Sequence, residues 1–514
     1  MKKMDKKRIL PINEKPSVIT CIHHAYPCAI IESKELVRIQ VDSYKEYQWN
    51  LYSENSSIVL EDELVSVLKQ RSKRNADAVL WRECGIRDSI VIKVDYIKNI
   101  DNGRYIDIFC FDNSFKDEII LQDKSYGFRW NPYGFFVKKE MFFLDTKAYV
   151  YLKIEVEDYV MKGFASVDGI NWELLREVNI GEVCKSGAPH IGIHMHMGKD
   201  FFDMWKNMNY IQLLYNDSNP NKGIYLDYHF FPRKNVDNGY SSYIGFLESK
   251  YEVLYDMLDC FESIQEFVKW SIMHNQYVEI CFDEYYVRDR KSYQKEHYNH
   301  YNLIYGYDDS QRSYYIMGYG ANSTPVVSTL PYDDFTLDIV TSEKLIIFKY
   351  EASCISDIDF SIKAVVQGLH ELLYDIDSNA KNANIMTPEK LDFGLSILKR
   401  LASEEKNKII YDKRVAFCIM EHCRLMQSRI EFLYEEEYLD ENSYPELKAI
   451  CDQMVLKSEC LLNQVLKNML RRINFDIIKQ SLLDLYDLET TFCEKALLGI
   501  KQTDPDAFDI LDKH

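Results

Sequence analysis

The sequence contains no CxxC pair and no window of about 18 uninterrupted apolar residues. Its 13 cysteines are an odd, scattered set, which favours reduced thiols over a disulfide framework or a zinc ribbon. The missing apolar run argues against a membrane-spanning helix. The basic run at residues 1–8 is not followed by the apolar stretch of a signal peptide. We therefore expect a cytoplasmic protein with no membrane partner.

Basic residues are also in deficit, with 62 Lys and Arg against 81 Asp and Glu and a formal net charge of -19. Because phosphate binding needs a basic face, this balance argues against a nucleic-acid partner. Proline (12) and glycine (19) are too few for a fibrous or disordered chain. A single core stops growing at roughly 250–300 residues, so a chain of 514 residues indicates two or three folded domains.

Residues 76–203 show short strand patterns separated by turn signals and predict a β-sandwich. Within them, the segment from Ser166 to Trp172 resembles the S-x-D-G-x-x-W hairpin of concanavalin A-like jelly rolls, with Asp168-Gly169 as the turn. Residues 204–350 mix strands with a helical run over Lys250–Met273. Residues 351–514 have helical periodicity and predict a helical bundle.

The clearest candidate for a catalytic base is His300, which opens an apolar strand that ends in Gly306-Tyr307. This strand resembles the base-bearing strand of papain-like cysteine proteases. A histidine exposed at a strand start can deprotonate a thiol across a cleft and stabilise the thiolate. A histidine packed beside a strand is the structural alternative, and His297 is the rival base.

A papain-like site needs its cysteine near the start of the chain, at a helix N-terminus that favours the thiolate, and Cys21 and Cys28 are the candidates. The segment from Cys21 to Ser33 resembles the N-terminus of bacterial cysteine-protease homologues of natural-product pathways, the butirosin acyltransferase-like and closthioamide amide-synthase-like proteins. In that group this start leads directly into a second piece, which here is Trp205 to Leu213. The stretches 283–286 and 414–422 fit the same group.

The resemblance implies an α+β fold in which a papain-like domain is interrupted by a β-sandwich. Residues 1–50 and 204–350 would form the papain-like domain, and residues 76–203 the concanavalin A-like insertion, which a surface loop tolerates. Residues 351–514 would follow as the helical bundle.

The resemblance also implies catalytic roles, with Cys21 as nucleophile and His300 as base. Two protease features are missing: Lys15 stands where an oxyanion-binding Gln is expected, and no Asn or Asp stands near Ile316–Gly318 to orient the base. The candidates for the orienting carboxylate or amide are Asp308 and, as alternates, Asp309, Asn322 and Asp283.

These departures favour acyl transfer over amide hydrolysis, because a thioester is already a good acyl donor. The implied function is a cysteine-dependent amide synthase of non-ribosomal peptide-like antibiotic biosynthesis, with no cofactor of its own. Its partners would be an acyl or peptidyl carrier protein, which presents a phosphopantetheinyl thioester, and a small amine acceptor. The basic stretch Arg288–Lys295 is a candidate docking site for an acidic carrier. A papain-like peptidase or amidase and a non-catalytic carbohydrate- or ligand-binding scaffold remain the alternatives.

Three other patterns in the sequence concern a metal site, an acid pair and a helical histidine. His190, His194 and His196 share one face of a strand, but no third close ligand is evident, so we expect no metal site. Asp283 and Glu284 could form an acid pair, although flanking tyrosines are typical of a solvated rim. His422 is expected to form a structural ion pair. Cys423 beside it is expected to do no chemistry, because adjacent helix residues point apart.

Overall fold

The structure is a computed structural model, and it describes most of the chain with gaps. The described residues are 7–16, 25–26, 29–30, 33–42, 44–61, 63–70, 76–97, 105–111, 125–131, 134–137, 140–142, 151–181, 189–197, 210–214, 225–229, 249–254, 261, 263–322, 324–336, 339–341, 344–349, 362–376, 394–403, 413–471 and 474–513.

The N-terminal part of the chain forms strand β1 (Lys7–Ile9) and then two seven-stranded antiparallel sheets, which we call the two-sheet region. Their strands are β2 (Glu35–Val41), β3 (Asn50–Glu54), β4 (Ser56–Glu61), β5 (Leu64–Lys69), β6 (Ala76–Glu83), β7 (Arg87–Ile97), β8 (Tyr105–Phe111), β9 (Ser125–Asn131), β10 (Gly134–Val137), β11 (Glu140–Phe142), β12 (Tyr151–Glu157), β13 (Val160–Ser166), β14 (Glu173–Asn179) and β15 (His190–Met197). The strand orders are β11-β10-β9-β8-β15-β6-β3 and β14-β13-β12-β7-β2-β5-β4.

Alternating apolar residues explain why these segments form strands. Along β12, Leu152, Ile154 and Val156 are buried while the residues between them are more exposed, as a sheet with one face on a core requires. The same alternation occurs in β2 and β5, and β2 pairs with both β5 and β7. Strand pairing in the two-sheet region therefore begins at Glu35, whereas the sequence predicts a β-sandwich that begins at residue 76.

The turn between β13 and β14 has the chemistry that the sequence predicts. The Asp168 carboxylate accepts hydrogen bonds from the backbone N–H groups of Ile170 and Asn171, both at 2.8 Å. Gly169 has a φ of 73°, a left-handed conformation that glycine adopts without strain. This turn lets β13 and β14 pair as an antiparallel hairpin.

The middle of the chain forms a third sheet, which carries the candidate site. Before it in sequence, strands β16 (Tyr210–Leu214) and β17 (Tyr225–His229) pair with each other. The strands of the third sheet are β18 (Ser249–Leu254), β19 (Gln276–Asp283), β20 (Asn299–Asp308), β21 (Ser313–Tyr319), β22 (Pro325–Pro331) and β23 (Lys344–Lys349). Helix α1 (Ile264–Met273) lies between β18 and β19 in sequence. The strand order is β18-β23-β19-β20-β21-β22, and β1 pairs with β20. The helix predicted over Lys250–Met273 is wrong in its first part, because β18 pairs with β23.

The C-terminal part of the described chain is helical, as predicted. Its helices are α2 (Ile362–Tyr374), α3 (Ser396–Ser403), α4 (Lys413–Glu435), α5 (Ser443–Leu470) and α6 (Phe475–Thr503), followed by a 3-10 segment, Pro505–Lys513. Helix α5 packs against α4 and α6 and buries Leu447, Cys451 and Met454 at helical spacing. No helix among the described residues is both long and apolar enough to cross a membrane.

Candidate active site

His300 lies near the start of β20, opposite Phe282 of β19. Its side chain is 20% exposed, whereas the residues from Asn302 to Asp308 are buried. Most of the strand is therefore buried in the core, while the side chains at its start, including His300, are partly exposed. This is the placement that the apolar run after His300 predicts.

Glu284 supplies the carboxylate that contacts the ring of His300. Its buried Oε1 lies 3.0 Å from His300 Nδ1. Because an ionised carboxylate only accepts hydrogen bonds, Nδ1 carries the proton and Nε2 is the basic nitrogen of the neutral ring. Within the described part of the chain, Nε2 makes no hydrogen bond. The arrangement matches a base whose tautomer is set by a carboxylate.

A buried guanidinium supports this carboxylate. Arg290 Nε lies 3.9 Å from Glu284 Oε1, and the guanidinium donates to Asn302 Oδ1 at 2.9 and 3.1 Å and to Ser328 Oγ at 3.1 Å. Burial lowers the pKa of Arg290, while the charge of Glu284 acts in the opposite direction. The cation offsets the cost of burying a carboxylate beside His300.

Gly318 explains why the orienting group does not come from β21. A Cβ at Gly318 would lie 2.1 Å from Asn302 Oδ1 and 2.7 Å from Arg290 Nε. The space beside β21 is thus filled by the Arg290–Asn302 pair. Glu284, just beyond the end of β19, contacts the histidine instead.

A second histidine–carboxylate pair stands next to the first. His297 Nδ1 lies 2.6 Å from Asp283 Oδ2, and Asp283 Oδ1 also accepts the backbone N–H groups of Tyr285 and Tyr298. Burial raises the pKa of Asp283, but these hydrogen bonds outweigh it and hold the pKa below its usual range. The alternates Asp283 and His297 therefore pair with each other, and the His297 side chain is 66% exposed.

The other candidates for the orienting group lie elsewhere. Asp308 is at the opposite end of β20, about 26 Å away along the strand, where it pairs with Lys7 at 3.3 Å and accepts from Ser310. Asp309 binds Lys269 and the Tyr332 hydroxyl. Asn322 is exposed in the turn after β21. The structure brings none of these three side chains to His300.

The candidate nucleophiles Cys21 and Cys28 lie outside the described residues. Between them in sequence, Tyr26 is helical and buried, and its hydroxyl donates to the backbone carbonyl of Tyr301 at 2.6 Å. Burial raises the pKa of Tyr26. Tyr301, the residue after His300, therefore holds Tyr26, which stands between the two cysteines in the sequence.

No disulfide joins the described cysteines, and all of them except Cys460 are buried. Burial raises the pKa of Cys281, although Cys281 lies on β19 near the site, and it likewise raises the pKa of Cys423 and Cys493. His422 binds Glu489 of α6 at 2.9 Å as a structural pair. Because their pKa values are raised, Cys281, Cys423 and Cys493 are poor sources of thiolate.

The basic stretch Arg288–Lys295 is only partly a surface. Arg290 is 4% exposed and belongs to the buried network described above, whereas Arg288 and Lys291 are exposed. The expectation that Arg290 contributes to a docking face is wrong, because its guanidinium is committed to Asn302 and Ser328.

Comparisons with known proteins do not assign a family. No family model matches the chain, and no curated protein matches it. The solved structures with weak similarity include pT26-6p, at 6% identity and a TM-score of 0.13 over 90% of each chain. Crystal structures of two HCR/D mutants show 12% and 8% identity and TM-scores of 0.15 and 0.14, and they cover 62% of this chain and 97% and 79% of their own.

Proposed function

We propose that this protein is a cysteine-dependent acyltransferase that forms an amide from a carrier-bound thioester, with Cys21 as nucleophile and His300 as base. The observation that carries the proposal is the 3.0 Å contact between His300 Nδ1 and the buried Glu284 carboxylate. A base that a carboxylate holds in one tautomer, with its other nitrogen free to take a proton, is what thiol activation requires.

The reach of the chain supports Cys21 as the partner of His300. Cys21 is five residues before Tyr26, and the Tyr26 hydroxyl binds the carbonyl of Tyr301. Five residues span at most about 18 Å when fully extended. The length of this segment therefore permits a thiol at Cys21 to reach the His300 ring, and Cys28, two residues after Tyr26, is the alternative nucleophile.

The reaction would proceed in two displacements. In the first, the Cys21 thiol gives its proton to His300 Nε2, the thiolate attacks the thioester carbonyl, and the bond to the phosphopantetheine sulfur breaks. The leaving thiolate takes the proton from the imidazolium. In the second, an amine attacks the acyl-Cys21 carbonyl, the bond to Cys21 breaks, and His300 carries the amine proton to the Cys21 thiolate. Glu284 stabilises the imidazolium in both steps.

Acyl-enzyme trapping tests the nucleophile. The protein would be incubated with a hexanoyl thioester of N-acetylcysteamine, a small mimic of the carrier arm, and its peptides analysed by mass spectrometry. We expect a hexanoyl adduct on the peptide that contains Cys21, its loss in Cys21→Ala, and its retention in the matched control Cys28→Ala. An unchanged yield of acylated protein in Cys21→Ala would contradict the proposal.

The products formed in the same incubation distinguish acyl transfer from hydrolysis. With benzylamine present, an acyltransferase produces N-benzylhexanamide at a rate that depends on His300. A peptidase or amidase of the same fold produces hexanoic acid whether or not the amine is present. A ligand-binding scaffold with no catalytic cysteine produces neither product above the uncatalysed rate.

A further inference from the structure

The two-sheet region carries a histidine cluster on the face that turns away from the core. Along β15, Ile193 and Met195 point into the main core, whereas His194 and His196 project from the opposite face. The antiparallel register places Asp77 of β6 directly opposite His196. His194 and His196, which follow Asp77 by 117 and 119 residues in the sequence, thus meet its carboxylate on one surface.

The donor atoms of these three side chains surround one point. Asp77 Oδ1 lies 2.7 Å from both His194 Nε2 and His196 Nδ1, and one ligand atom from each residue lies within 4.8 Å of the others. A Zn²⁺ ion binds imidazole nitrogens and carboxylate oxygens at about 2.0–2.2 Å, so small side-chain rotations suffice to admit one. We propose that Asp77, His194 and His196 form a binding site for a divalent transition-metal ion of the Zn²⁺ type.

The second ring nitrogen of His194 gives independent support. His194 is 3% exposed, and among the described residues its buried Nδ1 has no hydrogen-bond partner. That nitrogen lies 3.9 Å from Asp107 Oδ2. When Nε2 donates its proton to Asp77, Nδ1 is an acceptor that faces a carboxylate, which is unfavourable. When Nε2 binds a metal, Nδ1 carries the proton and donates to Asp107, as the histidine ligands of metal sites do.

The surroundings hold the two rings and leave one side open. The Tyr105 ring stacks on His196 with centroids 4.7 Å apart and meets the edge of His194 at 5.5 Å. The side chains of His196 and Asp77 are 16% and 20% exposed, so an ion can reach them from solvent. Three protein ligands leave the fourth position of a tetrahedral ion for water or an external ligand.

The donor set decides the class of ion. Two imidazole nitrogens suit Zn²⁺, Co²⁺ and Ni²⁺, whereas Ca²⁺ and Mg²⁺ prefer shells made of oxygen. The site lies on a different sheet from His300. Its occupation is therefore independent of the acyltransferase proposal, and either can fail without the other.

Metal titration of the chelator-treated full chain tests the site. We expect isothermal titration with Zn²⁺ alone to show one tight site per chain, and Co²⁺ to give an absorption spectrum of nitrogen and oxygen ligands without thiolate bands. His196→Gln and Asp77→Asn should each weaken Zn²⁺ binding by about 100-fold or more. Asp107→Asn, which removes the partner of a ligand, should weaken it by about 10–100-fold.

The matched control is His190→Gln, on the same strand and the same face but outside the cluster, and we expect its Zn²⁺ affinity to equal that of the wild type. Far-UV circular dichroism and thermal unfolding without metal check that each variant is folded. The proposal is overturned if the wild type has no tight site. It is also overturned if folded His196→Gln and Asp77→Asn bind like the wild type, or if Co²⁺ reports thiolate ligands.

Discussion

At the scale of single residues, Glu284 determines which nitrogen of His300 is available as a base. The Glu284→Gln substitution preserves size but replaces an ionised acceptor with an amide that neither fixes the tautomer nor stabilises the imidazolium. We expect amide formation from the thioester to slow by about 10-fold or more. The measurement is the steady-state rate with the hexanoyl thioester and benzylamine.

The Asp283→Asn variant is the control for Glu284→Gln, because Asp283 binds His297 and not His300. We expect this variant to retain most of the rate. A larger loss in Asp283→Asn than in Glu284→Gln would transfer the role of base to His297.

Gly318 is a residue whose lack of a side chain maintains the buried network behind Glu284. In Gly318→Ala, the added Cβ displaces Asn302 and Arg290, and the combined overpacking and broken hydrogen bonds should lower the free energy of unfolding by about 2–4 kcal/mol. Urea titration measures this loss. In the control Gly85→Ala, the nearest atom is 3.4 Å away, and we expect a change below about 1 kcal/mol. Equal stability of the two variants would contradict the packing described.

Residue-level prediction from the sequence succeeded where the signal was local. The apolar run after His300 correctly predicted a histidine at a strand start. The orienting residue was assigned to Asp308, but Glu284 reaches the ring because the register of β19 and β20 places Phe282 opposite His300. Asp77 was missed for the same reason, since its meeting with His196 depends on the register of β6 and β15.

At the scale of elements, turn chemistry was more predictable than the choice between helix and strand. Asp168-Gly169 predicted its hairpin because the side chain and the left-handed glycine act within four residues. The run Lys250–Met273 had apolar residues at helical spacing, yet Ser249–Leu254 is a strand. Its pairing with β23, almost a hundred residues later, outweighs the local preference.

The hairpin at Gly169 gives a test at this scale. Gly169→Ala must adopt a φ of 73°, and its Cβ would lie 3.0 Å from the Tyr151 ring. We expect the free energy of unfolding to fall by about 1–2 kcal/mol. Gly169→Asn adds the same Cβ but tolerates the left-handed region better, so its loss should be smaller. An Ala variant as stable as the wild type, measured by urea titration, would contradict this geometry.

At the scale of the whole molecule, several carboxylates link stability to pH. Burial raises the pKa values of Asp88 and Asp308, but their hydrogen bonds, from Arg82 and from Ser310 respectively, outweigh it and hold both below the ordinary value of 3.8. A group whose pKa is lower in the folded state stabilises the protein above its unfolded pKa. That contribution is lost as the pH falls through the folded value.

We therefore expect the free energy of unfolding to fall steeply as the pH drops below about 4. Asp88→Asn should be less stable than the wild type at pH 7 and should lose less of its remaining stability between pH 5 and pH 3. Urea titrations at these three pH values measure the difference. Parallel losses in the two proteins would contradict a lowered pKa at Asp88.

The proposed activation of Cys21 by His300 is tested most directly by the rate at which iodoacetamide alkylates Cys21 at pH 6, followed by peptide mass spectrometry. An ordinary thiol has a pKa of about 8.5 and is almost fully protonated at this pH, so only an activated cysteine reacts quickly. We predict that Cys21 is the fastest-alkylated cysteine of the wild type and that His300→Gln slows it about 100-fold. Equal rates for Cys21 in the wild type and in a folded His300→Gln variant would contradict the proposed active site.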